Sequence, residues 1–472
     1  MTFLSGRTAL FLFLAGTASL TAQAQAQTAF TTLDRTGAGE VSFSAGERKP
    51  IEAGAQVNVT GTGFKVGQKV TLLYGTTALG DPLTVDAEGK FSGQIMVPSG
   101  AVPGNHPILV VAQGPYFATV ADLKVSPTIP LSGQKDFEVT QAIAARGLYQ
   151  SAYSAKNDAL FVTSAVGRPP VRQSELVKMD GNSLKILTRI TPQPAPAGAP
   201  RAGASPSAPR EPGVYAVYGV AVDDSKDMLW VTNTRQNTVA VYKQSDLSLV
   251  KQLAPGSVSH PRDVAIDQSL GKAYVSAVGS PELVVFDTGK MAVARKVEVR
   301  SKQRGKDFSA ASMSFDPQAH RLYAVSLATS EVAVINTQSD TVEKVHAISG
   351  ARGAIGVSHD PKTGRIYVAA QGSDNLIVLD GESGAVIADT PVGAGALNVV
   401  FDPVKRLAYV SNRGAGTIAV TDAEGKLVAN LGPAPMANHV ALGKGGVVYA
   451  VDKSAAARGE EGDSVLRIRP RN

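Results

Sequence analysis

The feature that most constrains this chain is a unit of about 40 to 45 residues: an apolar strand ending in Asp, a turn, a strand opening on an aromatic residue, a polar loop, and a third strand ending near Asp or Asn. Aligning copies on the aromatic gives Phe161, Trp230, Tyr274, Tyr323, Tyr367, Tyr409 and Tyr449, at intervals of 69, 44, 49, 44, 42 and 40 residues. Such a period belongs to arrays whose repeats bury their apolar faces against one another. Within the fifth copy, two-residue alternation and turn residues predict strands over 356–360, 365–370, 375–380 and 385–390. A four-stranded sheet of this kind is apolar on both faces. Packing seven of them radially hides those faces and leaves only short edges, so the expected fold class is all-β, a seven-bladed β-propeller.

The seventh copy supplies strands over 438–442, 447–451 and 464–468, and then the sequence stops at Asn472. Its missing fourth strand is expected from residues 137–143, which precede the first copy and would close the ring by pairing its two ends. The 69-residue first interval holds a Pro-, Ala-, Gly- and Ser-rich run at 192–209 with too little apolar surface to order itself, hence an expected flexible insertion.

Ahead of the repeats the pattern changes. Residues 1–26 carry Arg7, an apolar stretch at 8–20 and alternating small residues up to Ala26, the layout of an export signal cleaved after Ala24 or Ala26. The apolar stretch is too short to cross a bilayer, and no second one follows, so the expected location is the periplasm without a membrane span. Residues 27–125 read as a small β domain with strands at 57–60, 69–74, 90–97 and 106–111, and residues 126–135 as a linker into the propeller at 136–472.

Composition narrows the chemistry. No cysteine occurs among the 472 residues, which excludes disulfides, thiol nucleophiles, iron–sulfur ligation and c-type haem attachment. The net charge of +6 permits an anionic partner without requiring one. Six histidines, His106, His260, His320, His346, His359 and His439, form no metal-binding spacing, so neither a metal nor another cofactor is expected. His260 and His439 are the best placed for a cross-blade metal or acid–base role. Asp267, Asp316, Asp360 and Asp402 recur at one place in the ordinary copies and read as turn formers rather than catalytic carboxylates. No serine shows an aligned general base, and no catalytic residue is assigned.

The segments Ala273-Tyr274-Val275-Ser276, Leu322-Tyr323-Ala324-Val325-Ser326, Ile366-Tyr367-Val368-Ala369 and Ala408-Tyr409-Val410-Ser411-Asn412, with Asp316-Pro317, Asp360-Pro361 and Asp402-Pro403, resemble the YVTN-type β-propeller repeat family from about residue 137 onward. Residues 61–72 and 97–106 resemble the immunoglobulin-like modules of exported bacterial proteins, which space or present a neighbouring domain. The first resemblance implies the propeller; relatives of the fold include surface proteins, exported binding modules, and propeller parts of redox enzymes and lactonases.

Counting back four or five residues from each strand-ending Asp reaches the expected mouth of the central channel: Tyr149 and Gln150, Tyr218 and Gly219, Arg262 and Asp263, Ala311 and Ser312, Ile355 and Gly356, Leu397 and Asn398, Asn438 and His439. Arg235, Arg352, Arg413 and Arg458 fall in loops on the same side, as do Lys302 and Arg304 between copies three and four, partly offset by Glu460 and other acids. The candidate binding set is therefore Tyr149, Tyr218, Arg235, Arg262, Lys302, Arg304, Arg352, Asn398, Arg413 and His439. It suits an envelope protein or another anionic ligand bound by a monomer. The tyrosines, if open, would also suit single-stranded DNA, and a lactonase-like hydrolase would require a metal ringed by Glu, Asp, Asn or His.

Overall fold

The computed structural model describes residues 32–196, 212–455 and 461–471. The export-signal segment 1–26, most of the insertion at 192–209, and Arg458 and Glu460 lie outside the described residues. The chain divides into two compact units at Val125/Ser126, with Arg48–Glu52 grouped with the second.

The first unit pairs a three-stranded sheet, Glu40–Ser44, Gln56–Thr62 and Phe91–Met96, with a sheet built on Lys69–Tyr74, Gly104–Gln113 and Phe117–Val125. Strict alternation along Gln56–Thr62 buries Val57, Val59 and Gly61. Gly61 is required, because a Cβ there would lie 2.0 Å from the Phe91 ring, whose neighbour Phe64 packs edge-on at 5.1 Å.

Among its described residues the second unit contains seven four-stranded antiparallel sheets. Their first strands are Leu148–Ser154, Val220–Asp223, Pro261–Asp267, Ala310–Asp316, Ala354–His359, Ala396–Asp402 and Ala437–Leu442, which define sheets 1 to 7. Each first strand touches that of the next sheet, and the seventh touches the first, so the order is cyclic. The apolar cores lie between sheets. One unites Tyr323, Val325, Val332 and Val334 of sheet 4 with Val357, Ile366, Val368 and Ile377 of sheet 5. Burial of each such side chain is worth roughly 1.5–3 kcal/mol, so the ring is held by facing surfaces rather than by cross-links.

Sheet 7 draws three strands from the C-terminal part of the chain and its fourth from Phe137–Ile143, which pairs with Ser464–Pro470 from Ser464↔Ile143 to Pro470↔Phe137. Asp463 locks this junction: its carboxylate accepts the Gly147 and Leu148 N–H groups at 2.7 and 3.1 Å and the Ala455 N–H at 2.9 Å.

Two connecting segments make contacts that the sequence did not indicate. Residues 126–135, read as a linker, are held against sheet 6: Ser132 exchanges both backbone hydrogen bonds with Asn430, at 3.0 and 3.1 Å, and the Asn430 amide donates to the Ile129 carbonyl at 2.8 Å. Asn430 lies on Leu427–Leu431, the outer strand of sheet 6, whose free polar edge takes up the passing chain. The first residues of the expected insertion are paired: Gln193 and Ala195 hydrogen-bond Tyr215 and Gly213.

All seven repeat aromatics are buried. Three tyrosine hydroxyls reach the turn between strands three and four of the next sheet: Tyr274 to the Thr337 carbonyl and Asp340, Tyr367 to the Ala423 carbonyl at 2.8 Å, and Tyr449 to the Gly181 carbonyl at 2.6 Å. Tyr409 of sheet 6 has a buried hydroxyl without a partner. Its next sheet is the closing one, where strands three and four come from opposite ends of the propeller and no turn joins them.

Candidate functional site

The channel positions are built by β-bulges. In sheets 1, 3, 4, 5, 6 and 7 the register between first and second strands shifts at 148/151, 261/264, 310/313, 354/356, 396/398 and 437/439. In sheet 2, Tyr218 and Gly219 both bond Thr232. A bulge sets two residues against one and redirects their side chains. These pairs are the ones reached by counting back from the strand-ending Asp.

Most of the polar residues so placed join neighbouring sheets. Gln150 accepts the Val220 N–H at 3.2 Å, Asp263 accepts Met313 at 2.9 Å, Asn398 accepts Val440 at 3.0 Å, and His439 Nδ1 accepts Ser151 at 3.3 Å. In each case the second bulge residue of one sheet satisfies the N–H that follows the bulge in the next. Sheets 2 and 5 carry glycine there instead, and their neighbours close in: a Cβ on Gly219 would lie 2.3 Å from the Arg262 carbonyl, and one on Gly356 2.7 Å from Asn398 Cα. Ser312 of sheet 4 has a buried hydroxyl with no partner. Hydroxyls of the second strands add further joints. Thr232 accepts the Gly219 N–H at 2.8 Å and donates to the Arg262 carbonyl at 3.2 Å, while Ser276 does the same for Asp263 and Ala311 at 2.9 Å each.

Asn398 and His439 are thus parts of the ring wall rather than open ligand contacts. Burial, and then the Arg262 charge, press the His439 pKa down to about 3 and keep the imidazole neutral. Burial pushes the Asp263 carboxyl upward, against the Met313 N–H bond and the Arg262 charge. Arg262 is half-buried, and its Nε has no partner.

Outside the wall, the structure brings four of the expected residues into one arc. The Arg235 guanidinium lies 5.9 Å from the Tyr218 ring centre and its Nε donates to the Tyr218 hydroxyl at 3.2 Å. Tyr218 meets Tyr149 edge to face, 5.0 Å between centres at 89°. Lys453 Nζ stands 5.7 Å from the Tyr149 centre. Burial lowers the Lys453 pKa to about 8, helped by the Arg413 charge and opposed by Asp463. Sheets 6, 7, 1 and 2 each contribute to this arc. Lys453 was missed in the sequence, yet it stands four residues after Tyr449, as Arg413 stands four after Tyr409. The tyrosines do not form the open stacking platform expected for bases: Tyr218 is only 8% exposed and Tyr149 has Tyr218 and Lys453 against its ring.

The remaining cations lie elsewhere on this side. Lys302 and Arg304 are exposed on a loop fixed by the Lys302 N–H to Glu331 at 2.8 Å. Arg352 is exposed beside Ser373, which accepts its N–H at 2.9 Å. His260 sits near Arg235, and burial and that charge hold its pKa below the usual histidine value.

One serine does meet a base, contrary to the sequence expectation. Ser314 Oγ lies 2.9 Å from His359 Nδ1, and Asp316 is 3.9 Å from Nε2. They come from adjacent sheets, which spacing alone cannot join. The imidazole stacks on Tyr323 at 5.1 Å and 20°, as Phe401 stacks on Tyr367 at 4.6 Å and 13° in the next repeat, so His359 occupies a packing position of the repeat. Asp316 also receives the Gln318 and Ala319 N–H groups as a turn former, as Asp360 receives that of Lys362 and Asp402 that of Val404. Among the described residues, no three His, Cys, Asp or Glu side chains converge as a metal-binding group, and no helix is long and apolar enough to cross a membrane.

No family model matches the chain. It is 21% identical over 272 residues to the uncharacterized protein YncE of Escherichia coli strain K12, an alignment spanning 54% of this chain and 68% of that protein. Its structure resembles Kuenenia stuttgartiensis hydrazine synthase with a TM-score of 0.54 at 17% identity, over 68% of this chain and 96% of that one. Together with the cyclic order of four-stranded sheets, these likenesses show a β-propeller built from sequence repeats.

Proposed function

We propose that this protein is an exported, periplasmic binding protein, in which the seven sheets are the blades of one closed propeller and the N-terminal unit is an immunoglobulin-like module that presents it. The channel-mouth face recognises an anionic ligand or protein partner. The observation that carries this reading is the arc from Arg235 to Arg413, in which three cations from three sheets gather around two tyrosines and Lys453 is held near Arg413 despite their like charge. Gathering like charges costs free energy that a bound anion returns. Affinity capture from envelope extract with the full-length protein tests it. A partner released by about 0.5 M salt, and no longer retained after joint replacement of Arg235, Arg413 and Lys453 by Gln, supports the reading. Partners retained equally by both proteins refute it. Export is checked by the N-terminus of the mature protein, expected after Ala24 or Ala26.

A further inference from the structure

We propose that the arc formed by Arg235, Lys453 and Arg413 around Tyr218 and Tyr149 grips an extended acidic segment of a partner protein, with successive carboxylates meeting the three cations. The proposal rests on the binding role of the channel-mouth face and names its ligand.

Three observations select this chemistry. The first is linear order: Arg235, Tyr218, Tyr149 and Lys453 follow one another through contacts of 5.9, 5.0 and 5.7 Å, and Lys453 is near enough to Arg413 to feel its charge. Cations separated by aromatic rings suit an extended chain, whose alternate side chains project on one side about 7 Å apart. The second is the state of the rings. Tyr218 is buried and edge-on to Tyr149, while Lys453 stands over Tyr149, so the arc offers its cations rather than the free π-faces on which bases stack. The third is residue type: Arg and Tyr predominate among the side chains that anchor protein partners, and an Arg fork matches a carboxylate in geometry as well as charge.

Among the described residues, the charges acting on Lys453 are Arg413 from sheet 6 and Asp463 from its own loop. Asp463 is already committed to the Gly147, Leu148 and Ala455 N–H groups. An incoming carboxylate therefore meets two cations, and its arrival favours the charged amine.

The test uses the full-length protein and a synthetic eight-residue peptide alternating Glu and Ser, capped at both ends, titrated by calorimetry at low ionic strength. Its Gln-for-Glu counterpart and an eight-nucleotide oligothymidylate serve as competitors. The expected result is binding of the Glu peptide alone, weakened about tenfold or more by R413Q/K453Q and by R235Q. The K290Q/K362Q double variant, which removes two cations from turns at the other end of the sheets, is expected to bind normally. The Lys453 pKa, read by NMR after reductive methylation, should rise when the Glu peptide binds. R235Q alters one exposed side chain, so it keeps the test interpretable if the Lys453 variant folds poorly. The proposal is overturned if the oligonucleotide binds as tightly as the peptide, if both double variants weaken binding equally, or if the Lys453 pKa does not move. A face that retains its captured envelope partner but ignores the Glu peptide overturns this assignment alone. Loss of every charge-dependent partner overturns the broader reading as well.

Discussion

At the scale of single residues, equivalent positions in the repeat carry unequal energies. Tyr367 donates to the Ala423 carbonyl, whereas the buried Tyr409 hydroxyl finds no acceptor. Removing a satisfied hydrogen bond costs about 0.5–1.5 kcal/mol, while removing a buried unpaired hydroxyl relieves a desolvation cost. Y367F should therefore lower the denaturant midpoint, and Y409F should leave it unchanged or raise it. Equal losses in the two variants would contradict this reading. His439 gives a second residue-scale expectation. Its folded pKa of about 3 lies below the unfolded value of about 6.5, so the unfolded chain binds the extra proton between these limits. Its contribution is complete above about pH 6.5 and is lost toward pH 3 by up to about 1.4 kcal/mol per pH unit. Gln at this position keeps an acceptor for the Ser151 N–H without titrating. Thermal melts of H439Q from pH 7 to pH 4 should show a shallower decline than the wild type, whatever the offset between them.

At the scale of elements, the strands and their turns were legible because they repeat. The buried aromatics and the strand-ending aspartates mark the same places in successive copies, and counting from them reached the six register shifts and the corresponding Tyr218/Gly219 pair of sheet 2. What those bulge residues do was not legible. Gln150, Asp263, Asn398 and His439 look like a varied ligand surface in sequence, yet each accepts an N–H from the following sheet. That role depends on how closely adjacent strands approach, a quantity set by neighbours such as Gly219 and Gly356 and invisible within one repeat. The Ser314 contact to His359 escaped for the same reason. Lys453 was legible by the count from Tyr449 to the position that Arg413 holds after Tyr409. The joint at Thr232 can be tested directly. T232V keeps the shape but orphans the Gly219 N–H, so it should cost about 1–3 kcal/mol in urea unfolding. T232S, which keeps the hydroxyl, should recover most of that loss.

At the scale of the whole molecule, the ring is completed by Phe137–Ile143 along the full length of Ser464–Pro470. A chain lacking residues 137–143 would leave that strand as an exposed edge in an otherwise cyclic array. Such edges recruit other strands, so size-exclusion chromatography of the truncated protein should show oligomers or aggregates where the intact protein elutes as one species. A compact monomer of unchanged melting temperature would show that closure contributes little.

The attachment of residues 129–132 to Asn430 has a mechanical meaning. The closing strand begins only five residues beyond Ser132, so tension on the chain from its N-terminal side would otherwise fall first on the end of that strand and peel it open one bond at a time. Instead, the load meets the paired bonds between Ser132 and Asn430 and the amide contact to Ile129, and it is shared with sheet 6 before it reaches the seam. The arrangement works as a strain relief, like the clamp that keeps a pull on a cable from reaching its connector.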